Sequence, residues 1–97
     1  MGAGDIRRLR AVVQGRVQGV GFRWFVHHRA AELRLVGECR NLANGDVEVV
    51  AEGERGVLET LLAALKVGPR GAHVENVHTA WLPPTGEFTT FRIGGTR

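Results

Sequence analysis

Cysteine occurs once, at Cys39, so the chain has no internal disulfide and no zinc site built on several thiolates. A single thiol suits a reducing compartment. No apolar run approaches the length that spans a bilayer. The opening Met1–Asp5 lacks the apolar stretch of a signal peptide, so a cytoplasmic location is expected. Lysine is nearly missing: Lys66 stands alone among 13 Lys+Arg, and the other cations are arginines. Internal repeats, low-complexity tracts and charge blocks are absent. No Ser-His-Asp or His-Cys set is legible. His27 and His28 are helix neighbours that point in different directions, and His73 and His78 fall on opposite faces of a strand. Neither pair makes a metal site.

What is present is an ordinary globular composition. The 97 residues are 43% hydrophobic and 24% charged, with a formal net charge of +3. That is the size of one domain, 1–97, with a core expected at about 6–93. An arginine-rich excess suits oxyanion recognition, because the guanidinium fork donates two parallel hydrogen bonds.

Glycine and proline divide the chain. Residues 6–14 alternate with a period of two and read as a strand. Gly15 to Gly21 is a glycine-rich loop, and 22–34 reads as a helix with Phe22, Phe25 or Val26, Ala30 and Leu33 on one face. Residues 36–43 form a second strand. Asn44-Gly45 predicts a two-residue hairpin turn in which both residues take positive φ. The returning strand covers 46–53, with Val47, Val49 and Ala51 facing inward. Residues 54–67 predict a helix buried through Val57, Leu58, Leu61, Leu62 and Leu65, which Gly68-Pro69-Arg70-Gly71 stops. A less regular strand at 74–82 and a short edge strand at 88–93 follow. The order β-α-β-β-α-β predicts an α+β ferredoxin-like sandwich, with a mainly antiparallel sheet and two helices on one face. The other face should be open to water, which accounts for Glu38, Arg40, Glu48 and Glu52 there.

Two features carry chemistry. The loop 15–21 opens a helix, whose first N–H groups lack partners and carry the positive end of the dipole. Glycines let those donors converge on an anion. The spacing fits neither the Walker-type nucleotide loop nor the dinucleotide fingerprint. Arg23 sits in the first helical turn, where a cation opposes the dipole at roughly 0.3–1 kcal/mol. A bound anion turns that misfit into an asset. Asn41 lies on the helix-facing side of its strand with Cys39, and a polar amide there needs partners. If the first strand ends beside this one, Asn41 approaches the loop and Arg23. Its amide both donates and accepts, so it can hold a water at a fixed angle. Cys39 fits better as a small apolar residue than as a nucleophile.

The string Gly15-Arg-Val-Gln-Gly-Val-Gly-Phe-Arg23, with Gly37-Glu-Cys-Arg-Asn-Leu42 and Asn44-Gly-Asp-Val-Glu48, closely resembles the acylphosphatase family, and the likeness runs over nearly the whole chain. The resemblance implies hydrolysis of acyl phosphates to carboxylate and inorganic phosphate without metal or organic cofactor. It implies that Arg23 and Asn41 are catalytic. It implies that the backbone N–H groups of Gln18, Gly19, Val20, Gly21, Phe22 and Arg23 wrap the phosphate. The expected partners are a small-molecule acyl phosphate and inorganic phosphate as product and inhibitor, with no nucleic acid, no membrane and a monomeric state. The sequence departs from the family at Glu38 and Cys39, where a bulky aromatic and a valine are common, and in the tail 94–97. Two other readings stand beside this one. An RNA-binding module of the same fold needs aromatics on its central strands, and 6–14 and 46–53 contain none. A phosphate-binding portion of a larger carbamoyl-transfer protein is disfavoured by the chain's short length.

Overall fold

The computed structural model describes residues 4–96; most of the opening segment read for targeting, and Arg97, lie outside them. The chain runs β1 (Ile6–Arg16), α1 (Phe22–Glu32), β2 (Val36–Asn41), β3 (Val47–Glu54), α2 (Arg55–Val67), β4 (His73–Leu82) and β5 (Phe91–Ile93). The sheet order is β4-β1-β3-β2-β5. All neighbours pair antiparallel except β2 and β5, which are parallel. This is the expected ferredoxin-like α+β sandwich. α1 packs on β2 and β5, and α2 packs on β1, β3 and β4. β1 and β3 are the central strands, and neither carries an aromatic residue.

Period-two alternation places Leu9, Ala11 and Val13 of β1 and Val47, Val49 and Ala51 of β3 fully inside. Phe22, Val26 and Ala30 of α1 and Leu58, Leu61 and Leu65 of α2 cover them. Phe25, Leu33, Val57 and Leu62 pack at the edge of that core.

Several boundaries differ from expectation, each for a local reason. β1 runs two residues further, to Arg16, because its register with β4 shifts between Gln14 and Gly15 and pairing then resumes. α1 stops at Glu32 rather than residue 34. Arg34 takes φ 57, its N–H donates to Ala31 O at 3.1 Å, and Leu35 N–H donates to Ala30 O at 2.9 Å. That is a Schellman closure with arginine where glycine is usual, so no residue type announces it. β2 ends at Asn41, and the turn to β3 has a three-residue tip. Gly45 N–H donates to Leu42 O at 3.1 Å and Leu42 N–H to Asp46 O at 2.8 Å. Only Gly45 takes positive φ, at 101°. Asn44 instead accepts from Asp46 N–H through its side chain at 3.0 Å.

The outer face of the sheet is not open along its length. Glu52 is only 5% exposed. The segment after β4 folds over it, and Thr85 N–H and Gly86 N–H donate to its carboxylate at 2.9 and 3.0 Å. Arg8 donates to the same carboxylate at 2.7 Å and lies over the Phe88 ring. Arg40 bridges Glu38 and Glu48, and Arg10 reaches Glu48 at 2.8 Å. The charges expected in water form a packed lattice of ion pairs.

Candidate active site

The loop that leaves β1 is held at both ends. Val17 is buried in the core, and the Gln18 carboxamide donates to the carbonyl oxygens of Leu42 and Asp46, each at 2.8 Å. Between these anchors and α1 the backbone takes left-handed values at Gly19 (φ 73) and Gly21 (φ 77). Gly21 is the N-cap of α1; no side chain caps the helix, and its first turn holds no acid. The first backbone bond of the helix runs from Phe25 N–H to Gly21 O. Among the described residues, no acceptor is paired with a backbone N–H from Gln18 to Trp24. Donors left unpaired at a helix start, with left-handed glycines among them, can converge on an anion.

β1 does not lie beside β2, contrary to the premise on which Asn41 was brought to the loop. β3 stands between them, with Asn41 opposite Val47. The meeting occurs by another route. The β1–α1 loop crosses the end of the sheet, and Gln18 ties it to the β2–β3 turn just beyond Asn41. The result is a concavity of about 260 Å³. Gly19, Gly21, Arg23 and Asn41 line it, with Val17 and Phe22 also in its wall and Trp24 and Ile93 completing the lining. Five of the expected residues, Gly19, Gly21, Phe22, Arg23 and Asn41, thus share one cavity. Gln18 and Val20 do not line it. The first serves as the clamp, and the second packs against the core near Gly71.

Arg23 is held from the far end of the chain. Its Nη1 donates to Gly94 O at 3.1 Å, and Gly94 N–H donates to Cys39 O at 2.8 Å. Cys39 itself is fully buried, and its thiol points at Arg23 O at 3.6 Å. Burial pushes that thiol up to about 12, against the opposing pull of Arg23. It is therefore an inert packing residue at ordinary pH. Among the described residues, no three His, Cys, Asp or Glu side chains converge as a metal site. His28 stacks on Trp24, and His27 meets the edge of Phe91. Trp24, Ile93 and Gly94 were not legible as site residues. The one signal available was a tryptophan off the apolar stripe of its helix.

The acylphosphatase family model matches residues 9–93. The chain belongs to the acylphosphatase family. It is an enzyme of the class that hydrolyses acyl phosphates. An acylphosphatase of Koribacter versatilis is 52% identical over 87 residues, 90% of this chain and 79% of that protein. The crystal structure of the acylphosphatase from Bacillus subtilis matches with a TM-score of 0.88 at 34% identity, covering 91% of this chain and 98% of that one. The acylphosphatase fold also recurs inside a longer protein. Full-length HypF, solved in a phosphate- and nucleotide-bound form, matches with a TM-score of 0.85 at 28% identity, covering 95% of this chain but 12% of that one. Among the described residues, no helix is long and apolar enough to cross a membrane.

Proposed function

We propose that the concavity binds the phosphate of an acyl phosphate through the N–H groups of Gly19, Gly21, Phe22 and Arg23 and through the Arg23 guanidinium, while Asn41 orients the attacking water. One observation carries this reading: Arg23 and Asn41, on different elements, line the same cavity as the left-handed glycines of the donor nest. The dianionic phosphoryl group accepts from the nest and from Arg23, which offsets the cation–dipole conflict at the start of α1. The Asn41 carboxamide accepts from a water and holds it in line with the scissile P–O bond.

As water attacks, the bond between phosphorus and the bridging oxygen breaks. The carboxylate leaves with the bonding pair, and the proton of the water passes to a phosphate oxygen. An acyl phosphate dianion and water thus become a carboxylate and dihydrogen phosphate, with charge balanced. A carboxylate is a weak base and leaves unassisted, so no protein acid is required. Charge stabilisation and positioning supply the rate. The product occupies the same donors, so inorganic phosphate inhibits competitively.

The deciding experiment is hydrolysis of benzoyl phosphate by the purified protein with a chelator present. Turnover with competitive inhibition by inorganic phosphate is expected. Folded protein that leaves every acyl phosphate intact would refute the reading.

A further inference from the structure

Two large apolar side chains stand in water at the concavity. Trp24 is 62% exposed and Ile93 is 42% exposed. The core does not use Trp24, whose place in the first turn of α1 lies off the buried stripe of Phe22, Val26 and Ala30. Each is a chain neighbour of the anion-holding apparatus. Trp24 follows Arg23, and Ile93 precedes Gly94, whose carbonyl oxygen holds the Arg23 guanidinium. The indole is already oriented: it stacks on the His28 ring at 4.2 Å between centroids with 24° between planes. A side chain fixed before a ligand arrives loses little rotamer freedom on binding. Paired apolar groups left exposed in a cavity beside polar anchors mark a place where a ligand's apolar part is received.

The polar and apolar walls divide the cavity by chemistry. Gly19, Gly21 and Arg23 offer donors, whereas the side chains of Trp24 and Ile93 offer mainly apolar surface. A substrate held by its phosphate must extend its acyl group elsewhere, and the two apolar side chains line the rest of the same cavity. We infer that Trp24 and Ile93 form an acyl subsite that selects acyl phosphates with an aromatic or extended apolar acyl group over acetyl phosphate. This rests on the reading of the nest as the phosphate site. Trp24 and Ile93 act on the specificity of the reaction and not on its chemistry.

The test compares kcat/KM for benzoyl phosphate with kcat/KM for acetyl phosphate in the wild type, Trp24→Ala, Trp24→Phe and Ile93→Ala. A benzoyl ring stacked on indole gains affinity that acetyl cannot, so the wild type prefers benzoyl phosphate. In Trp24→Ala that preference falls about tenfold, mainly through a higher KM for benzoyl phosphate with kcat retained. Ile93→Ala lowers the preference by at least threefold, and Trp24→Phe keeps it within threefold of wild type. The competitive Ki of inorganic phosphate changes less than twofold in all three variants. A preference in Trp24→Ala within threefold of wild type overturns the inference. So does an equal loss of kcat on both substrates, which would mean that Trp24 only positions Arg23. The phosphate-site reading is judged separately. It fails if wild-type protein hydrolyses neither substrate, or if Arg23→Gln turns both over at the wild-type rate.

Discussion

The Gln18 carboxamide is bound to both strand ends of the β2–β3 turn, donating to Leu42 O and to Asp46 O at 2.8 Å each. One side-chain nitrogen thereby spends both protons on joining the glycine-rich loop to the segment that ends in Asn41. This contact holds the two halves of the site in register together with the Arg23–Gly94–Cys39 chain of hydrogen bonds and the Cys39 thiol on Arg23 O. Gln18→Ala removes one of the two donors on each carbonyl oxygen, since Leu42 O keeps Gly45 N–H and Asp46 O keeps Leu42 N–H, and should cost about 1 kcal/mol of stability. Because the proposed mechanism depends on position, kcat/KM should fall about tenfold as well. Gln18→Glu should be worse on both counts, since a carboxylate faces two acceptors. Urea denaturation and steady-state hydrolysis of benzoyl phosphate, run on both variants, check the two effects together.

Glu52 should make the protein acid-sensitive in a defined window. Burial pushes its carboxyl up, but hydrogen bonds from Thr85 N–H, Gly86 N–H and Arg8 outweigh that and bring it down to about 2. The folded value lies below the unfolded one, near 4.5. The stability it contributes is therefore fully present above about pH 5 and is lost as pH falls through the folded value. About 2 kcal/mol should disappear between pH 5 and pH 3. Glu52→Gln should be less stable at pH 7 and should show a flatter pH dependence than wild type. Urea midpoints measured across that range give both numbers. An unchanged slope would mean that the lattice on the outer face does not hold Glu52 ionised.

How much of this was legible follows from the range of each interaction. Alternation and helical spacing are local, so they gave the seven elements, the central strands and the inward faces. Arg23 and Asn41 were legible because each is a polar misfit in its own element. The closure of α1 was not, because Arg34 occupies a left-handed position without the glycine that would announce it. The Gln18 clamp spans 24 residues and leaves no local trace. The cover over Glu52 spans a similar distance, from Thr85 and Gly86, and turns a residue that reads as solvated into a buried one. Trp24 was not legible as a site residue because its neighbour in the cavity, Ile93, arrives from a strand far along the chain.

Cys39 should not react with thiol reagents in the folded protein. The thiol is fully buried and held up at about 12, so the thiolate that would attack a disulfide reagent is scarce at any ordinary pH. Native protein should take up no label from an aromatic disulfide reagent at pH 8. One equivalent should react once denaturant is added. Cys39→Val restores the residue common in the family and should leave acyl phosphate hydrolysis within about twofold, since the side chain only packs. Rapid labelling of the native state would show that β2 opens readily beside Arg23.

Arg23 and Asn41 should fail in different ways, and the difference separates binding from chemistry. Arg23 Nη1 already spends one bond on Gly94 O, which leaves the rest of the fork for a ligand in the cavity. In the proposed mechanism Arg23→Gln removes a charge that interacts with the phosphoryl group in both ground and transition states. Its kcat/KM should fall about a thousandfold, and the Ki of inorganic phosphate should rise with it. Arg23→Lys should recover little, because a point charge does not reproduce the planar fork. In the proposed mechanism Asn41 meets the water and not the bound phosphate. Asn41→Ala should lower kcat by a similar factor while the Ki of inorganic phosphate stays within about threefold. Inhibition constants and single-turnover rates on the same preparations distinguish the two patterns. If Asn41→Ala lost phosphate affinity in step with Arg23→Gln, the carboxamide would belong to the anion grip and the water would need another partner.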